Sequence, residues 1–331
     1  MKMTLLAKAS PSFKYSYTIG NQAVPPAHGF SGPVSVAVAN DGLLYVLCSY
    51  YEYVPAWKFV VKCNMDEDYI KHFGSYGEGS GQFTWPNSIA VDSTGNVYVT
   101  DEWLNRISVF DGDGNLEKTF GTVGSKDGEW DRPSGIVFDS EDNMLVVDSL
   151  NHRIQKFSRN GEFISKFGEF GSGKGQLNTP WGINLDNDGN IYVADWRNDR
   201  IQKFSPDGSP ILQIGSSGSG HGELTRPSGV AVDSEGYVYV TDWGNDRVQV
   251  YDQVGSYVEQ FNGDCHGYSK WAEARMASDP EGMSAERAVV TDFTIERVFF
   301  QPTTVRIDNE DRILVVDTGR HRIQIYEKQY N

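Results

Sequence analysis

Cysteine is scarce: three in 331 residues, an odd and widely spaced set that excludes a disulfide scaffold and fits a reducing, cytoplasmic setting. Long apolar runs are missing as well. Stretches such as Met144 to Val147 fall far below the roughly 18 residues needed to cross a bilayer, so no membrane partner is expected. Lys2 precedes only the brief patch Met3 to Ala7, which does not make a secretory leader. Basic charge is in deficit too. Against 45 Asp and Glu stand 29 Lys and Arg, and the net charge of -16 repels nucleic acid and anionic lipid unless cations are strongly clustered.

What is abundant points to short strands and tight turns: 35 glycines, 17 tyrosines and 17 phenylalanines. Such a chain calls for a search for self-similarity before any motif. The stretch PNSIAVDSTGNVYVTDEWLNRISVF from Pro86 recurs from Pro133, Pro180 and Pro227, each 47 residues after the last. A further copy, PTTVRIDNEDRILVVDTGRHRIQIY, starts at Pro302, and a degenerate one, PVSVAVANDGLLYVLCS, at Pro33. Each unit reads as strand, hairpin, strand, loop, strand. Apolar and polar residues alternate over five to seven positions, interrupted by a D-x-x-G-like turn and then by an Asp-to-Arg loop. A fourth strand precedes the next proline, as in Glu162 to Phe167 or Tyr69 to Phe73. Six four-stranded units of this length predict an all-β, six-bladed β-propeller occupying residues 1–331 as one domain. The last unit ends near Tyr326 without its outer strand, and SFKYSYTIG from Ser12 is expected to supply it, closing the ring and removing an open edge.

With the repeat on view, the chain resembles the NHL-repeat family, whose signature G-I-x-x-D-x-x-G-N-x-Y-V-x-D-x-x-N-x-R-I is matched almost position by position from Gly182 to Ile201. The resemblance implies the propeller fold over nearly the whole chain. Such propellers include protein-binding modules, RNA binders and enzymes, among them metal-dependent lyases and hydrolases, so the fold alone does not choose a function.

Residues that recur in every blade are scaffold. Asp101/Arg106, Asp148/Arg153, Asp195/Arg200, Asp242/Arg247 and Asp317/Arg322 are read as structural ion pairs. In the first unit Cys48 and Phe59 stand at both positions, as expected if one buried charge cannot be left alone. His152 and His321 share one repeat position and are read as local hydrogen-bonding groups. Cys48 and Cys63 fall at opposite ends of neighbouring strands, too far apart for a disulfide. Cys265, beside His266, is the one cysteine whose neighbours suggest chemistry.

Residues that vary at equivalent loop positions are the candidates for function. Trp85 and Trp181 flank leading prolines; Trp103, Trp196 and Trp243 follow the repeated aspartates; Arg132 and Arg226 precede leading prolines; Glu102, Tyr50, Tyr51 and Tyr53 lie in the same loops. Aromatic faces with convergent charges suit a small organic ligand, so Trp85, Glu102, Trp103, Arg132, Trp181, Trp196, Arg226 and Trp243 are expected to line a pocket at the channel mouth. Packing of the tryptophans between loops is the alternative. A divalent metal is a further expectation, with His28, His221 and His266 as the candidate ligands because they lie in connectors between blades.

From Pro227 to Pro302 is 75 residues, 28 more than the period, and the excess falls between Gly263 and Gln301. SKWAEARMAS and MSAERAV predict two short helices, read as a lid over the channel, with a brace or a dimer contact as alternatives. The functional expectation is a small-molecule-binding propeller with lyase or hydrolase activity as one reading. A protein-interaction scaffold is the alternative, and RNA binding is disfavoured by charge.

Overall fold

The computed structural model describes residues 11–49, 57–282, 284, 292 and 294–330. Six four-stranded antiparallel sheets are arranged as blades in chain order around an axial channel. The fourth blade shows how sequence makes a blade. Its second and third strands, Ile191–Asp195 and Arg200–Phe204, pair in register from Ile191↔Phe204 to Asp195↔Arg200. The preceding turn forms because Asp186 Oδ1 accepts the N–H groups of Asp188 and Asn190, at 3.1 and 2.8 Å, while Gly189 takes φ +77°.

The hydrophobic core lies between the blades. On the second strand of the fourth blade, Ile191 and Val193 pack against the third blade with Leu145, Val147 and Ile154, whereas Tyr192 and Ala194 pack toward the fifth with Val230, Val238 and Val240. Period-two alternation thus buries both faces of a blade, each against a different neighbour. Phe83, Trp130, Leu177 and Leu224 are buried staples at one connector position, which separates Trp130 from the loop tryptophans.

Closure occurs as the sequence predicts. Pro11–Ile19 pairs with Arg322–Tyr330, from Pro11↔Tyr330 to Ile19↔Ile323, so the N-terminal strand becomes the outer strand of the sixth blade. Among the described residues no helix is long and apolar enough to cross a membrane.

Four of the five repeated ion pairs form, with Arg Nε 2.7–2.8 Å from Asp Oδ2 at Asp148/Arg153, Asp195/Arg200, Asp242/Arg247 and Asp317/Arg322. The pair Asp101/Arg106 does not. Asp101 instead accepts the backbone N–H groups of Thr84, Trp85, Trp103 and Leu104, and Arg106 turns to the carbonyls of Glu78, Gly79 and Gln82. The cause is local. Elsewhere the Asp is also held by a glutamine, Gln155, Gln202, Gln249 or Gln324; in the second blade that residue is Ser108, too short to reach.

The insertion after the fifth blade corrects the lid expectation for its described part. Its helix Lys270–Ser278, capped by Ser269, packs Trp271 against Phe30 and Tyr69 at the seam where the first and sixth blades meet. Glu67 locks it there. In the second to fifth blades the same outer turn carries a glycine with φ between +77° and +93°, at Gly114, Gly161, Gly208 and Gly255; Glu67 takes φ +61°. Its buried carboxylate accepts Gly20 N–H at 2.6 Å and Trp271 N–H at 3.0 Å, tying the closing strand and the helix to the first blade. The helix is a brace on the closure seam. Helical backbone resumes at 280–282, and most of the second expected helix, 283–289, lies outside the described residues.

Candidate functional site

Two loop positions of each blade meet at the channel mouth: the residue after the leading proline and the residue after the repeated Asp. Around the ring the pairs run Val34/Ser49, Asn87/Glu102, Ser134/Ser149, Trp181/Trp196, Ser228/Trp243 and Thr303/Thr318. In four blades the two members touch. Asn87 Nδ2 donates to Glu102 at 2.7 Å, the Ser134 and Ser149 hydroxyls are 2.8 Å apart, the Thr303 and Thr318 hydroxyls 2.7 Å apart, and the rings of Trp181 and Trp196 tilt together at 6.3 Å. The hydroxyls also stitch neighbouring blades, since Ser134 and Ser149 donate to the carbonyls of Trp181 and Pro180. A mostly polar ring is therefore interrupted by an aromatic pair in the fourth blade and by Trp243 in the fifth.

Arg132 and Arg226 overhang this ring by one device. Each precedes a leading proline in the left-handed backbone region, with φ of +56° and +51°. The backbone N–H of each is latched to the preceding blade, at Asn105 Oδ1 and Asp199 Oδ1, both at 2.7 Å. The side chains then reach back over that blade's ring residue. The Arg226 guanidinium lies 4.9 Å from the Trp196 ring centre, and Arg132 Nη1 lies 3.9 Å from Glu102. Arg197 approaches the Trp196 ring as well, at 5.7 Å. Glu102 is buried, and burial pushes its carboxyl above the ordinary range despite the opposing pull of Asn87 and Arg132.

Among the predicted site residues, Trp181, Trp196 and Arg226 are thus brought together, and Glu102 meets Arg132 two blades away. Trp85 and Trp103 form their own pair at 6.4 Å, with Trp103 53% exposed, outside the inner ring. The register explains this: Glu102, not Trp103, holds the place of Trp196, and Trp85 holds that of Arg132. Trp243 sits at the ring position of the fifth blade opposite Ser228 and belongs to neither pair. Tyr50, Tyr51 and Tyr53 lie outside the described residues. Sequence reading passed over Asn87 and Arg197, although comparison of the repeats one position at a time marks both as departures.

The candidate metal ligands do not converge. His28 stacks on Tyr69 beside the insertion helix, His221 stacks on Tyr257, and His266 pairs with Asp264 at 2.9 Å. Among the described residues no three His, Cys, Asp or Glu side chains come together to hold a metal ion, and the mouth carboxylate already faces the Arg132 cation. The described residues do not fit a divalent centre. Cys265 contacts Thr18 Oγ1 at 3.3 Å and the Gly267 carbonyl at 3.2 Å, not an imidazole. Cavities of about 470 and 440 Å³ flank the insertion helix, away from the tryptophan wall.

His152 and His321 have the role expected of them. Through Nδ1 they accept the N–H groups of Thr179 and Gly32, at 3.0 and 2.8 Å, the same latch between blades that Asn105 and Asp199 provide.

Residues 27–219, more than half of the chain, match the family model described as SMP-30/gluconolactonase/LRE-like region, and the chain belongs to that family. Residues 183–274 match a six-bladed β-propeller family and 299–326 an NHL repeat. Among solved structures the fold is similar to a gluconolactonase of Xanthomonas campestris, with 13% identity, a TM-score of 0.62, and 96% of this chain and 99% of the other covered. It is also similar to a streptogramin B lyase at 11% identity and TM-score 0.58, covering 97% and 98%. A catalytically inactive virginiamycin B lyase from Staphylococcus aureus, with quinupristin, aligns at 13% identity and TM-score 0.57 over 95% and 99%. No curated protein matches the sequence.

Proposed function

We propose that this member of the SMP-30/gluconolactonase/LRE-like family binds a small organic molecule bearing an anionic group at the channel mouth, against the Trp181–Trp196 wall and under Arg226. The observation that carries the reading is the arginine itself. Arg226 is held in a left-handed backbone conformation and laid over the Trp196 face, where it is exposed. A ring of the ligand would stack on Trp196, and its carboxylate or similar group would take the guanidinium.

Turnover is the second reading, favoured by Glu102. A buried carboxyl with a raised pKa, oriented by Asn87 and flanked by Arg132, is placed to take a proton from water or substrate in a hydrolase or lyase reaction. The family and the lyase and gluconolactonase neighbours support that class of chemistry. No metal step is assigned.

Titration with a panel of aryl carboxylates and lactones, followed by tryptophan fluorescence, tests the site. Trp196→Ala is expected to weaken the best binder by about 1–3 kcal/mol with folding nearly intact. Collapse of the fold in Trp196→Ala, or unchanged affinity in both Trp196→Ala and Arg226→Ala, would make the tryptophans packing residues and sink the proposal. Acid release from the lactones in a pH-stat, lost in Glu102→Gln, separates turnover from binding.

A further inference from the structure

Deeper in the ring, the fourth residue after each leading proline forms a layer of the innermost strands: Ala37, Ala90, Val137, Asn184, Ala231 and Arg306. Five of these are small or uncharged. Arg306 is the one charged residue at this position.

Arginines that serve this scaffold are saturated with acceptors. Arg200, for example, donates to Asp195, to the carbonyls of Ser172, Gly173 and Gln176, and to the Gln213 side chain. Arg306 has none of that. Its one hydrogen bond among the described residues runs from Nη1 to the carbonyl of its own neighbour Val305, at 3.3 Å, and it forms no ion pair there. The nearest carboxylate in the chain, Asp308, is committed to Arg312 at 2.6 Å. Burial without a counter-charge accordingly pushes the guanidinium down to about 10, with no carboxylate pulling it back. The residue remains partly accessible, on the strand face it shares with Leu314.

A cation largely withdrawn from water with most of its five donors free is costly unless an anion joins it. We propose that Arg306 is the ligand of a small oxyanion, a carboxylate or inorganic phosphate, bound at the innermost strand of the sixth blade and distinct from the aromatic mouth.

The experiment uses the full chain and thermal melting with millimolar phosphate or acetate added separately, against sodium chloride at matched ionic strength. Concentrations this low avoid the general stabilisation that such salts give at high concentration. Wild type should gain about 2 °C for each tenfold excess of the preferred anion over its Kd. Arg306→Ala copies the residue already present at positions 37, 90 and 231, and Arg306→Met keeps the volume without charge; both should lose the wild-type response. A response to phosphate confirms a free inorganic ion, and a response to acetate alone assigns the site to carboxylates. The proposal is overturned if wild type responds no more than in chloride, or if either Arg306 variant keeps the response.

Discussion

Asp195→Ala should cost far more than a typical substitution, and the structure shows why. The carboxylate accepts Asn178 N–H at 2.6 Å, Asn198 Nδ2 at 2.8 Å, Arg200 Nε at 2.8 Å and Gln202 Nε2 at 3.3 Å. Arg200 cannot then swing to solvent, because three backbone carbonyls and Gln213 hold its other nitrogens. Its charge stays buried without a counter-ion, at about 3–5 kcal/mol. The orphaned Asn178 N–H adds about 1–3 kcal/mol, so roughly 4–8 kcal/mol is expected in all. The first blade shows the alternative solution: Cys48 and Phe59 occupy both positions, and the Cys48 thiol takes the N–H of Ser31, the counterpart of Asn178. The double variant Asp195→Cys with Arg200→Phe therefore leaves no lone charge. It should cost less than the two single changes added together, with a coupling of about 2–3 kcal/mol. Asp101→Ala, where no ion pair forms, should show no such coupling to Arg106. Urea unfolding of the four proteins, compared at constant m-value, measures these quantities. A double variant as destabilised as the sum of its singles, or an Asp195→Ala protein within about 1 kcal/mol of wild type, would refute the account of the pairs as mutually dependent buried charges.

Deletion of residues 1–20 should abolish cooperative melting or cause aggregation, since it strips the outer strand from the sixth blade and bares the edge Arg322–Tyr330; an unchanged melting curve would disprove closure through that strand. A pH effect follows from the inter-blade latches. Burial holds the imidazoles of His152 and His321 below the ordinary histidine range, and each needs an unprotonated Nδ1 as acceptor. The unfolded chain, titrating near pH ~6.5, then binds the extra protons, so stability holds above that pH and falls as pH drops through it toward the lower folded values. His321→Asn, which copies the acceptor Asn105, should flatten the dependence of Tm between about pH 5 and 8; an unaltered slope would count against the latch.

The repeat made the architecture legible without coordinates. A period of 47 residues, alternation along strands such as Ile191 to Asp195, and turns of the Asp186–Gly189 kind each express a local rule of backbone geometry, and together they determine a six-bladed ring closed by its N-terminal strand. Departures from the repeat were legible as well: Trp181, Trp196 and Arg226 stood out and do come together. Two things depended on tertiary structure. The first was registration in space. Glu102 displaces Trp103 from the ring, and Ser108 deprives Asp101 of its bridging partner, because one residue of offset or one methylene of reach decides a contact in a packed loop. The second was the insertion, whose composition declares helix but whose docking is set by the single buried carboxylate of Glu67 on another blade. Helix propensity is written along the chain, whereas the acceptor that holds a helix in place lies some 200 residues away and becomes its neighbour only when the ring closes.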